Sequence, residues 1–364
     1  MTRARGFARA SVALVSLVLT ASASAQDVPL RSVDAMEQTF ARWVKQHKVR
    51  RATLAIARGD RLVLAKGYGG LTGGSRVLLA SLSKAVTATC TTTLIEQGTL
   101  RFDTPLAEFV DRWATRYRKP ADARLGTVTI AQLLTHRAGF SRVSGDPVTG
   151  SNLVDQLGRR AVTQVTMYDL VPGMLRHTLT DEPGSTYTYT NAPHLLLALV
   201  IEAVTGQSYE TYCAEAVLRP HGIAGAKFHA KWAVLGAFGG WNLSGPEYLA
   251  FYRAFLPTGT FLNADTRRWL VEGTGKELSV GGPVFYSLLF VRPVAGGHNF
   301  FHMGTWGYRQ SPSGPSGGIN DSMGTMAASL ASGASWFAYF EPRPSDEARD
   351  ALDHAFASFA TIQR

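Results

Sequence analysis

The chain has only two cysteines, Cys90 and Cys213, among 364 residues. That is too few for the disulfide framework that holds small secreted scaffolds together. No His-Glu-x-x-His run occurs and the nine histidines are dispersed, so the sequence carries no recognisable zinc site. Charged residues make up 18% of the chain against 45% hydrophobic, a balance that excludes a disordered chain. There is no Pro/Ser-rich linker and no repeat at a fixed period, which excludes a solenoid. Beyond residue 25 no run is long and apolar enough to span a bilayer. The arginines are scattered, as at Arg42, Arg50, Arg51, Arg58 and Arg61, without an aromatic-interleaved basic stripe. The formal net charge of +10 therefore does not mark a nucleic-acid surface.

What is present begins with a leader. Arg3, Arg5 and Arg9 form a basic start, Ala10 to Leu19 an apolar core, and Ala23-Ser24-Ala25 precedes Gln26. This pattern predicts a secretory signal over 1–25, cleaved near Ala25, and hence a periplasmic or secreted protein without stable membrane insertion. No cysteine follows the cleavage site to take a lipid. Loss of those three arginines lowers the net charge from +10 to +7, which suits an anionic envelope. The remaining length, about 340 residues, is more than one small core needs and predicts two lobes or two domains.

Val33, Met36, Phe40, Trp43 and Val44 recur at helical spacing over 32–47. Two β-rich runs, 52–58 and 61–67, flank the hairpin signal Gly59-Asp60. From 81 to about 275 the signals are helical and loop-like: 81–97, 130–135, 167–179, 192–204, 208–218, 245–256 and 264–272. Strand signals return at 284–291, 299–303, 323–330 and 335–340, before a last helix over 345–359. Strand-rich ends around a helical middle predict an α/β lobe from about 26–80 and 280–364 with an inserted all-α lobe over about 81–279.

The residues that carry chemistry centre on Leu78-Leu79-Ala80-Ser81-Leu82-Ser83-Lys84. Ser81 and Lys84 stand one helical turn apart on the same face. A serine hydroxyl needs a base to take its proton, and a lysine withdrawn from water has a lowered pKa that suits the task. Lys84 lies among Ala80, Leu82, Ala85, Val86 and Ala88, so its helix is apolar nearly all round and is expected to be buried. Cys90, nine residues past Ser81, points to the other side of that helix at ~100° per residue. Whether it pairs with Cys213 in an oxidising compartment is left open.

Two further stretches offer partners. In Pro183-Gly184-Ser185-Thr186-Tyr187-Thr188-Tyr189-Thr190-Asn191, a phenol and an amide two residues apart point the same way. Tyr189 suits a proton shuttle, and Asn191 a donor near Lys84 and to substrate. His302-Met303-Gly304-Thr305 closes a strand-like run. Thr305 N–H with Ser81 N–H is suited to form an oxyanion hole, and Gly304 admits substrate close to the backbone. Read alone, Ser-x-x-Lys recurs on solvated helix faces, Tyr189 reads as a core aromatic and His302 as a structural histidine. Gly314-Pro315-Ser316-Gly317-Gly318 also fits G-x-S-x-G, but no helix follows it, as a nucleophile elbow requires.

In this order and at these intervals the three stretches resemble the serine β-lactamase and penicillin-recognising family. That family includes class C β-lactamases, exported D-alanyl-D-alanine carboxypeptidases, D-aminopeptidases and family VIII carboxylesterases. Only Lys84 among the lysines has a serine three places back, and only Tyr189 among the twelve tyrosines has an asparagine two places on. The likeness extends to 98–106, to Leu133-Leu134-Thr135-His136-Arg137-Ala138-Gly139-Phe140 and to Gly239-Gly240-Trp241, and fades beyond Tyr308. It implies a β-lactamase/transpeptidase-like α/β fold: an antiparallel sheet with flanking terminal helices plus the α lobe. It implies Ser81 as acylated nucleophile, Lys84 and Tyr189 as proton carriers, and Asn191, His302, Gly304 and Thr305 on the substrate. No cofactor or metal is implied. Partners are small-molecule esters, amides or peptides. Many β-lactamases of this fold carry lysine where this chain has His302, a side chain expected to titrate at about 6.5 and so to grip a substrate carboxylate less well at neutral pH. Neutral esters therefore rank first, D-amino-acid peptides or amides second and β-lactams third. A relative that binds without turnover is the non-enzyme alternative.

Overall fold

The computed structural model describes residues 33–142, 145–256, 258–272, 278–279, 283–308 and 321–358. The expected signal segment over 1–25 and the 314–318 stretch lie outside the described residues.

The first helix, Val33–Gln46, leads into strands Arg51–Arg58 and Arg61–Tyr68. They are joined at Gly59, whose φ of +57° is a left-handed conformation that glycine adopts without a Cβ penalty. These strands enter an eight-stranded sheet with neighbours paired in the order 61–68, 51–58, 334–341, 321–329, 297–308, 290–294, 283–286 and 278–279. Every pairing in it is antiparallel.

Alternation along the strands divides the interior in two. Leu54, Ile56, Trp336 and Phe340 pack with Phe40 and Trp43 of the first helix and with Leu352 and Phe356 of the last, Asp346–Ala357. Ala55, Ala57, Phe337 and Tyr339 face the opposite core. On that second face helix Gly245–Tyr252 comes so close that a Cβ on Gly245 would lie 2.8 Å from Ala55 Cβ. The second core is helical, built around Ser83–Glu96 and Ala192–Thr205. Residues 83–92 are all buried, threonines included, because their hydroxyls donate back along the helix: Thr89 Oγ1 to Ala85 O at 2.9 Å and Thr91 Oγ1 to Thr87 O at 3.0 Å.

The structure departs from expectation in three places. The expected strand over 284–291 is two, Pro283–Tyr286 and Phe290–Val294. Between them Ser287 N donates to Leu289 O at 3.0 Å and its Oγ to Leu270 O at 2.8 Å, a turn that a single serine in an otherwise apolar run does not announce. The helix expected over 167–179 shrinks to the short turns Met167–Leu170 and Val171–Met174, consistent with Pro172-Gly173 inside the run. A small sheet of Val77–Leu78, Trp241–Leu243 and Lys227–Phe228 appears where strand signals are nearly absent.

Cys90 and Cys213 form a disulfide across 123 residues of sequence, tying helix Ser83–Glu96 to helix Tyr209–Cys213. A cross-link over so long a loop removes much freedom from the unfolded chain, and loss of such a bond costs about 2–5 kcal/mol. Replacing both cysteines with alanine is therefore expected to lower the unfolding temperature by several degrees. Alkylation of the unreduced, denatured wild type is the companion measurement. Incorporation of label at either cysteine would show that the bond does not form.

Candidate active site

Ser81 sits in the 3₁₀ turn Ala80–Leu82 immediately before helix Ser83–Glu96. Ala80 has φ +48°, a conformation that costs an L-residue roughly 1–2 kcal/mol and persists only where its surroundings enforce it. Here they do. Leu79 N donates to Trp241 O at 2.9 Å, and Leu79 O accepts from Thr325 Oγ1 at 2.7 Å. The turn is thus clamped between the small sheet and the large one. Against it lies Gly304, where a Cβ would sit 2.6 Å from Leu79 O and 3.0 Å from Ser81 N. Only a glycine lets strand Gly297–Tyr308 approach the serine this closely.

Lys84 is wholly buried. Its Nζ donates to Ser81 Oγ at 3.1 Å, Asn191 Oδ1 at 2.7 Å and Phe238 O at 3.0 Å. None of the three acceptors is a carboxylate, so nothing in direct contact offsets the loss of water. Burial pulls its pKa from 10.5 down to about 7; Asp146 at longer range resists and Arg142 adds to the fall. Near neutral pH a large fraction of Lys84 therefore carries a lone pair 3.1 Å from a hydroxyl.

Asn191 is fixed from behind. Its Nδ2 donates to Asp146 Oδ2 at 3.3 Å and to Thr149 Oγ1 at 3.0 Å, and its backbone N to Asp146 Oδ2 at 2.9 Å. Asp146 is held in turn by Val148 N and Thr149 N, each 3.0 Å from its Oδ1. With the amide nitrogen committed to Asp146 and Thr149, the oxygen must face Lys84. This corrects the expected polarity: Asn191 accepts from Lys84, and its NH₂ group is turned away from the serine. Asp146 and Thr149 escaped the sequence reading. Asp146-Pro147 signals a turn, but its partner lies 45 residues on.

The Tyr189 ring centroid is 4.9 Å from Lys84 Nζ. Its hydroxyl is buried with no partner at hydrogen-bonding geometry. Burial pushes its pKa well above 10, with the nearby Ser81 hydroxyl pulling the other way, so it is a protonated phenol at neutral pH. The rings of His136, at 4.4 Å, and Tyr286, at 5.9 Å, pack around it.

His302 is buried as well. Its Nδ1 lies 2.8 Å from Met303 O and its Nε2 3.1 Å from Tyr286 Oη. Because a carbonyl only accepts, Nδ1 carries the proton and Nε2 accepts from the phenol. Burial, reinforced by the Lys84 charge, drives its pKa to about 3 against the Met303 bond. The expectation of a histidine titrating near 6.5 is thereby corrected: His302 is neutral throughout the working range. Thr305 follows Gly304 on the same strand, opposite Gly324, with an exposed side chain. Among the described residues no three His, Cys, Asp or Glu side chains gather as metal ligands. No helix among them is long and apolar enough to cross a membrane.

The Beta-lactamase family model matches residues 36–296, well over half of the chain and the whole stretch from the first helix through Ser81, Lys84 and Tyr189. The chain belongs to the Beta-lactamase family. Within this family of serine hydrolases it is similar to Protein flp of Staphylococcus aureus (strain NCTC 8325 / PS 47), 27% identical over 179 residues, 46% of this chain and 33% of that one. The chain thus spans about a third of that relative's length. Among solved structures, the octameric penicillin-binding protein homologue from Pyrococcus abyssi superposes with a TM-score of 0.68 at 20% identity, covering 90% of this chain and 78% of that one. The D-stereospecific amidohydrolase from Streptomyces sp. does so with 0.68 at 20%, covering 88% and 97%. These likenesses show a β-lactamase/transpeptidase-like fold.

Proposed function

We propose that the chain is an exported serine hydrolase that cleaves uncharged esters, and more slowly amides, through an acyl-enzyme on Ser81. The carrying observation is the wholly buried Lys84 with its Nζ 3.1 Å from Ser81 Oγ. In this reading the neutral amine takes the hydroxyl proton, directly or through Tyr189, as Oγ bonds to the substrate carbonyl carbon. The oxyanion is met by Ser81 N–H and Thr305 N–H. Collapse breaks the bond to the alcohol or amine, which leaves with a proton returned from Lys84 or Tyr189, and water then releases the acid by the same route. A binding-only relative would have no use for an amine held at a lowered pKa beside an intact serine. The Cys90–Cys213 disulfide supports export, since such bonds persist in oxidising compartments.

Esters rank first because position 302 holds a neutral histidine rather than a permanent cation for a substrate carboxylate. The Streptomyces amidohydrolase with the same fold supports D-amino-acid amides as the second reading. The test is a panel on the secreted protein: a p-nitrophenyl ester, a D-amino-acid amide, a D-alanyl peptide and a chromogenic cephalosporin. The neutral ester is expected to lead in kcat/KM by about tenfold or more, the value of one charge-assisted contact. A cephalosporin turned over faster than the ester would reverse the ranking.

The acid limb of the pH profile gives a second prediction. Because the lysine must be neutral to accept the proton, kcat/KM should rise with pH through about 7 and level off above, without a separate inflection near 6.5 from His302. Arg142→Gln removes a cation that lowers the Lys84 pKa and should move the limb to higher pH. Asp146→Asn removes an anion that raises it and should move the limb lower. A limb that stays fixed in both variants would separate it from Lys84.

A further inference from the structure

A cavity of about 220 Å³ opens beside the strand that carries Gly304 and Thr305, walled by Val77, Leu78, Trp232, Trp306 and Met323. Trp232 and Trp306 meet edge to face, with centroids 5.1 Å apart at 71°. Arg51 and Arg76 reach the cavity, but each is paired with a carboxylate, Glu341 at 3.3 Å and Glu247 at 2.5 Å. His229, Lys231, Ser322 and Glu341 also line it, with Lys231 Nζ 5.3 Å from the Trp232 ring centroid, so the two indoles form a flat apolar surface inside a polar rim. A cavity of roughly 150 Å³ already holds a benzene ring, and two indoles at a right angle offer a third ring both a stacking face and an edge.

The position of the cavity decides which part of a substrate reaches it. Residues 302, 304 and 306 share one face of the strand, and at about 3.3 Å per residue Trp306 stands about 7 Å from Gly304 and about 13 Å from His302. The His302 ring is 6.1 Å from that of Tyr189, which is itself 4.9 Å from Lys84 Nζ. Proton-handling groups thus lie at one end of this strand segment, Gly304 lies against Ser81 N in the middle, and the tryptophans lie at the other end. A leaving group collects its proton at the Tyr189–Lys84 end, so the acyl group extends the opposite way.

We propose that the Trp232–Trp306 cavity is the acyl-side subsite and takes a flat aromatic ring on the acyl portion of the substrate. This rests on Ser81 being the acylated nucleophile. Methyl phenylacetate and benzyl acetate are isomers that carry the same ring on opposite sides of the ester, so together they separate the acyl side from the leaving side. In the full secreted protein, methyl phenylacetate is expected to be the better substrate. Trp306→Ala should lower its kcat/KM ten- to a hundredfold, mainly through KM, while benzyl acetate changes less than threefold. Trp306→Leu, which keeps an apolar side chain if alanine impairs folding, should show the same asymmetry. Equal losses on both esters, a greater loss on benzyl acetate, or turnover of neither ester while a fluorophosphonate still labels Ser81 would each overturn the subsite. Absence of that label would instead overturn the acyl-enzyme reading beneath it.

Discussion

Replacing Ser81 with alanine is expected to remove covalent labelling by a fluorophosphonate and to lower kcat by on the order of 10⁵–10⁶. The size follows from the role: without Oγ there is no acyl-enzyme, and only binding and the backbone donors remain to assist water. The fold should survive. The Ser81 hydroxyl accepts one bond, from Lys84, and Lys84 keeps Asn191 Oδ1 and Phe238 O as acceptors. Circular dichroism of the variant should therefore match the wild type, and the wild-type protein should carry one label. Labelling at Ser316, or a labelled Ser81→Ala protein, would transfer the nucleophile's role elsewhere.

What was legible in the sequence follows the range of the interactions. The Ser81–Lys84 relation is set by one helical turn and needs no knowledge of the rest of the fold. The hairpin at Gly59-Asp60 is equally local, and the structure places it there. Burial of Lys84 could be read because its neighbours on the helix are apolar. By contrast, the orientation of the Asn191 amide depends on Asp146 and Thr149, 45 and 42 residues earlier, and no spacing rule spans that distance. His302 shows the same limit. Its residue type suggested a titrating group, whereas its protonation is set by burial, the Lys84 charge and a bond to Met303 O. The need for glycine at 304 was read locally as room for substrate. The structure adds a second reason, since the backbone there meets Leu79 O and Ser81 N.

The same long-range contacts explain how a strained turn coexists with a stable core. Ala80 in the left-handed region is enforced by Leu79, which bonds Trp241 on one side and Thr325 on the other. Because Leu79 O is the acceptor for Thr325 Oγ1 and also the atom nearest to Gly304 after it, the serine turn and strand Gly297–Tyr308 are held as one unit. A rigid seat of this kind fixes Ser81 N–H relative to Thr305 before any substrate arrives, which is the condition for electrostatic stabilisation without reorganisation.

Loss of Lys84 and loss of Tyr189 are expected not to add. Lys84 Nζ is bonded to Ser81 Oγ and lies 4.9 Å from the Tyr189 ring. The Tyr189 hydroxyl has no partner at bonding geometry, and its raised pKa keeps it protonated. In the proposed reaction, a phenol that holds its proton and an amine that is partly free of its own would be complementary halves of one relay, the amine taking the serine proton and the phenol handing one to the leaving group. Breaking either half leaves the other without a function. Lys84→Met and Tyr189→Phe should each lower kcat by on the order of 10²–10⁴, with the double variant close to the poorer single one. Tyr189→Phe keeps the ring that packs 4.4 Å from His136, and Lys84→Met keeps the buried chain length, so thermal unfolding should report modest changes while turnover collapses. Losses that multiply would mean that Lys84 and Tyr189 act in separate steps, and the proton would then need a second route between Ser81 and the leaving group.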